Sequence, residues 1–158
     1  MSVDSPDVRF PSDEILRQAV EILKRKVSVD LKLEFVNRFR DGHTLFEDHF
    51  TMGMDVRNTL RSSKLFGTEA DLVLHYYDQV WMVLFLKALD FNETELKTID
   101  LENLMTHKTA SCRWLGKMLH ALYHGKTPLT ELCAVELSGK YCAGSFLACQ
   151  PKEYGSNV

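Results

Sequence analysis

"VWMVLFL", residues 80–86, is the most apolar run in the chain, and its reading decides the fold. It is far shorter than the roughly 20 residues that a membrane span requires. It lies within a longer segment, from a cap at Thr68 to about Leu89, in which Leu72, Val73, Tyr76, Tyr77, Val80, Val83, Leu84 and Leu86 leave little polar surface. A helix that is apolar all round belongs inside a protein. The segment is therefore predicted as the central helix of an all-α fold.

The neighbouring segments carry helical periodicity bounded by caps and turns. Ser12 is an N-cap, followed by Asp13 and Glu14, and Ile15, Ala19, Ile22 and Leu23 keep one face over about 12–27. From near Asp30, Leu31, Phe35 and Phe39 recur a turn apart, with Lys32, Glu34, Asn37 and Arg38 mostly turned away, until Asp41 and Gly42. A third helix is expected over about 44–62, with "SSKLFG" as a connection ending at Gly67. Two more are expected over 93–106 and up to Gly125. The sum is a single-domain helical bundle of about six helices. Residues 1–11 form an extension, 12–149 the domain and 150–158 a frayed end. "PLTELCAVEL" reads as a short helix, whereas "AVELSGKYCAGSF" has the turn and flanks of a hairpin.

With 158 residues and 18.2 kDa, the chain buries roughly two thirds of its unfolded surface in one core. The net charge of −3 and a pI near 6.1 exclude a basic stripe, and the densest patch is only Lys24, Arg25 and Lys26. Nucleic acid is not an expected partner. The opening "MSVDSPDVRFPSDE" lacks the apolar stretch of a secretory signal, so a cytoplasmic protein is expected, without a membrane partner. Cys112, Cys133, Cys142 and Cys149 show no C-x-x-C spacing and read as free, partly buried thiols, a zinc site and a disulfide of Cys133 with Cys142 or Cys149 being the other readings.

The segment "FEDHFTMGMDVRNTLR", residues 46–61, contains an anomaly. On a helical wheel Phe46, Phe50, Gly53, Arg57 and Leu60 fall on one side, so Arg57 points into the apolar face while Asn58 lies near its boundary. Gly53 costs a helix about 1 kcal/mol relative to alanine, which points to a close neighbour there. A buried arginine requires a carboxylate or several carbonyl oxygens. Asp71, His75 and Asp78 form a polar stripe on the central helix, and Asp78 is the first expected partner, with Glu47 and Asp71 as alternatives.

With Gly53, Arg57 and Asn58, "HFTMGMDVRNTL" resembles a small bacterial domain of unknown function marked by a Gly-x-x-x-Arg-Asn helix, over about residues 47–89. Asp55-Val56 stands where that family often has an aromatic and aliphatic pair. Glu69-Ala70-Asp71 replaces its Asp-Asp-x-Ser helix opening. The resemblance implies a small intracellular bacterial protein with a fixed Arg-Asn pair and brings no established reaction.

No nucleophile elbow, phosphate-cradling loop or dinucleotide fingerprint occurs, and no cofactor is implied. The leading expectation is a non-catalytic, protein-binding protein of regulatory or immunity type, with room for self-association. The first alternative is a small enzyme or anionic-ligand-binding protein whose pocket uses Gly53, Arg57, Asn58, Asp71, His75 and Asp78. The second is metal binding by His120 and His124, four apart on one helix face.

Overall fold

The computed structural model describes residues 11–48, 51–67 and 78–133, without the side chain of Asp78. Every regular element among them is helical, as the periodicity predicts. Helix α1 (Asp13–Lys24) starts where the Ser12 side chain accepts the Ile15 N–H at 3.3 Å. It buries Leu16, Ala19, Val20 and Leu23, spaced i, i+3, i+4 and i+7, so its inner face is rotated from the expected one and Ile22 is only half-buried. Helix α2 (Val29–Arg40) is capped by Ser28, whose side chain accepts the Leu31 N–H at 3.0 Å. It buries Phe35, Val36 and Phe39, and Gly42, at φ +87°, turns the chain away.

The third expected helix is not continuous. Phe46–Asp48 form a single 3₁₀ turn, and α3 (Met52–Ser63) begins afresh after Thr51 at φ −116°, ψ −98°. An ion pair stands at the break. Arg38 is not turned away but donates to the Asp48 carboxylate at 2.6 Å and to the Thr44 carbonyl at 3.3 Å, with its guanidinium 4.8 Å from the Phe35 ring centre. The Asp48 carbonyl in turn accepts the Thr51 N–H at 3.1 Å. A left-handed Lys64 and Gly67, at φ +61° and +62°, shape the connection that follows.

Helix α4 (Asp78–Ala88) contains the apolar run, and all of Val80 to Leu86 is buried. The chain continues through α5 (Glu93–Ile99), α6 (Leu101–Met105), α7 (Ala110–His124) and α8 (Leu129–Cys133). Helix α4 is central, packing on α1, α3, α7 and α8. Phe35 of α2 meets Phe85 edge-on, with ring centroids 5.1 Å apart. The side chain of Gln79, fully buried on α4, donates to the Leu132 carbonyl at 2.7 Å and ties α8 to the core.

The helix expected over 93–106 is two helices, because Asp100 adopts φ +64°. Its side chain accepts the Asn103 N–H at 3.3 Å and starts α6, while an Asn92/Glu95 capping box starts α5. The bend lays α6 against α7, where a methyl group on Gly116 would come within 2.8 Å of Leu104 Cβ and the Met105 nitrogen. Gly125 ends α7 where the sequence places it, in extended conformation at φ −97°, ψ 179°. The helical reading of "PLTELC" holds for α8, and the hairpin reading beyond it lies outside the described residues. No helix among the described residues is long and apolar enough to cross a membrane.

Candidate functional site

Helix α3 carries three of the candidate residues, Gly53, Arg57 and Asn58. Its inner face holds Gly53, Val56, Arg57 and Leu60, and its outer side carries Met54, Asp55 and Asn58. The neighbour expected at Gly53 is Trp81 of α4. A Cβ atom at Gly53 would lie 2.7 Å from Trp81 Cζ2, and 3.0 Å from both Trp81 Cε2 and the Asp48 carbonyl oxygen. Glycine thus lets the two helices approach until the indole edge rests on the α3 backbone.

Arg57, one turn further on, is 4% exposed and does not stand without a partner. It is therefore enclosed and does not open onto solvent as an arginine awaiting an anion does. Of its expected partners, Asp71 lies outside the described residues, as does His75, and so does the side chain of Asp78. Glu47 lies instead 3.6 Å from Arg38 and 3.7 Å from His43, at the surface. Asn58 is exposed, and its Oδ1 accepts from Arg61 Nη1 at 2.6 Å.

Asn58 borders a trough running along α3 between that helix and the α1–α2 corner. The middle, a cavity of about 340 Å³, has Leu23, Val27, Leu31, Met52, Val56 and Phe85 as its apolar lining. One end opens between Glu34, Arg38, Asp48 and Asp55, and the other between Arg25, Lys26, Thr59 and Ser62. Met54 on α3 is exposed at its first end, whereas Val29 and Leu33, the other large exposed apolar side chains of the described residues, lie on the side of α2 opposite Leu31, Glu34, Phe35 and Arg38. Sequence reasoning missed this trough because its floor comes from four separate helices. The local signal that existed was Leu31, which belongs to the periodic face of α2 yet stays half-buried.

The histidine pair is on one face of α7, with ring centroids 5.3 Å apart. His124 Nε2 is 3.0 Å from Glu93 Oε1, and both histidines are exposed. Among the described residues no group of three or more His, Cys, Asp or Glu side chains is arranged to hold a metal ion, so the expected metal reading lacks a ligand set. His107 accepts the Thr109 N–H on Nδ1 at 3.1 Å, ahead of α7. The buried Cys112 thiol donates to the Gly42 carbonyl at 3.3 Å. Cys133 is buried as well, and Cys142 and Cys149 lie outside the described residues.

Burial raises the ionisation of Tyr123 well above the ordinary tyrosine value near 10, and the nearby Asp90 carboxylate adds to the rise. Its hydroxyl donates to the Leu86 carbonyl at 2.5 Å, and Lys87 Nζ lies 5.1 Å from its ring centre while donating to the Leu122 carbonyl at 3.0 Å. This clasp joins α4 to α7 and has no opening to the trough. Compared with models of protein families, with curated proteins and with solved structures, the chain has no match.

Proposed function

We propose that this is a small intracellular binding protein, regulatory or immunity-type and non-catalytic, that recognises another protein along the α1–α2–α3 trough. The observation that carries the reading is a contrast. The trough opens outward beside Met54 with apolar side chains on its floor, while Arg57, the strongest sequence candidate for gripping a small anion, is 4% exposed. Apolar floors with charged ends are the pattern of helix-in-groove recognition, in which packing supplies affinity and rim charges supply orientation. The buried thiol of Cys112 suits a reducing compartment such as the bacterial cytoplasm, in line with the resemblance carried by Gly53, Arg57 and Asn58.

The test is affinity capture with the wild-type chain and with the double variant Met54→Glu/Asn58→Glu, at two positions that line the trough. Both substituted side chains are exposed, so the fold is retained, as circular dichroism and melting will verify. Wild type is expected to retain a specific protein that the variant loses. Equal capture by both, or no specific protein together with turnover of a metabolite, overturns the proposal.

A further inference from the structure

We infer that the occupant of the trough is an amphipathic helix carrying opposite charges at its two ends, its basic end over Glu34 and Asp55 and its acidic end over Arg25 and Lys26. This rests on the trough being a protein-docking surface, and it adds the chemistry of the partner.

Three observations support it. Along α3 the trough is lined from Met52 to Ser63, a length of about 17 Å at the usual helical rise, which accommodates roughly three turns of a bound helix. In the middle part the apolar side chains lie between Asp55 towards the first end and Lys26 towards the second, and anchors spaced i, i+4 and i+7 on one face of a helix would seat there. The charges at the two ends are opposite and unspent. At the first end three carboxylates, Glu34, Asp48 and Asp55, surround one guanidinium, Arg38, which Asp48 already engages at 2.6 Å. Glu34 and Asp55 have no ion-pair partner among the described residues. At the second end Arg25 and Lys26 stand among Asn58, Thr59, Ser62 and Ser63, and no carboxylate lines that opening. Neither cation forms an ion pair among the described residues.

An extended acidic tail would satisfy only the second end, and a uniformly basic peptide only the first. A helix with charge of one sign at each end satisfies both and suffers no like-charge contact. Its macrodipole also favours acidic residues at its own N-terminus and basic ones at its C-terminus, so charge distribution and helix stability agree.

The probes are stapled, fluorescein-labelled synthetic helices of about four turns that share one leucine stripe. One is dipolar, with lysines at one end and glutamates at the other, and is made in both sequence directions; the others are all-lysine and all-glutamate. Anisotropy gives affinity, and methyl NMR shifts of Leu31 and Val56 report the site. The better dipolar peptide is expected to bind about fivefold tighter than either uniform one in dilute buffer, the scale of two exposed ion pairs. That preference should vanish near about 1 M salt, where screening reaches about 3 Å. In Glu34→Lys/Asp55→Lys, both exposed positions, the all-glutamate peptide should become the tightest ligand.

Equal affinity for all peptides, with the trough methyls shifted, overturns the charge assignment and leaves the docking surface standing. No shift at those methyls with any peptide overturns both. A dimer of the peptide-free protein that the charge-reversed variant dissociates also overturns the inference, since the occupant is then a second copy of the chain.

Discussion

Replacing Gly53 with alanine sets two effects of opposite sign against each other. In an ordinary helix interior the change stabilises by about 1 kcal/mol, because alanine has the higher helix propensity. Here the new methyl group would sit 2.7 Å from Trp81 Cζ2 and 3.0 Å from the Asp48 carbonyl oxygen. Carbon atoms prefer separations of about 3.5–4.0 Å, so the overlap with the indole is close to an ångström. Neither obstacle can yield cheaply. Trp81 is 1% exposed and walled in by the core, and the Asp48 carbonyl holds the Thr51 N–H at 3.1 Å. Overpacking of this kind costs about 1–3 kcal/mol, and a rigid ring with a backbone oxygen belongs at the upper end of that range. The net expectation is a loss of about 2 kcal/mol, or a melting point lower by about 5 °C for a chain of this size.

Urea unfolding followed by far-ultraviolet circular dichroism measures the loss, since tryptophan fluorescence is unsuitable for the companion variant. In a Trp81→Phe background, where the indole edge is gone, the same Gly53→Ala change should cost less by about 1–2 kcal/mol, a coupling typical of residues in direct contact. Gly53→Ala proving as stable as wild type, or additivity of the two substitutions, would refute the close approach of α3 and α4.

Arg57→Met is expected to lower stability by about 3–5 kcal/mol, the cost of removing one member of a buried polar arrangement, and chemical denaturation will measure it. A folded variant that had instead lost thermal stabilisation by an anionic metabolite would revive the small-ligand reading. A double-mutant cycle on Arg38→Ala and Asp48→Ala should give a coupling of about 1 kcal/mol, at the upper end for exposed pairs because both side chains are mostly buried; a coupling near zero would mean that the 3₁₀ turn is held by packing alone. For Tyr123 the folded state retains its proton beyond the point where the unfolded chain loses it. Its contribution to stability is thus full below about pH 10 and is lost as pH rises above that value. Absorbance titration near 295 nm should show one tyrosine ionising only as the protein unfolds, a transition that Tyr123→Phe removes; ionisation of every tyrosine near pH 10 in the folded protein would contradict the clasp.

The sequence by itself determined the helical class, the central place of "VWMVLFL", the caps at Ser12 and the turns at Gly42 and Gly67, because periodicity and φ preference are written locally. It also marked Gly53 and Arg57 as inward-facing, since a wheel needs only spacing. Three features required the tertiary structure. The break before α3 comes with Arg38 reaching Asp48, a contact between side chains ten positions apart that no periodicity predicts. The division at Asp100 lets Leu101 and Leu104 pack on α7, at the cost of a left-handed aspartate that no local pattern demands. The trough exists only where α1, α2, α3 and α4 meet, each contributing a residue or two that looks ordinary in its own helix. A helix's inner face can be read along one dimension, whereas a shared concave surface depends on how several helices cross.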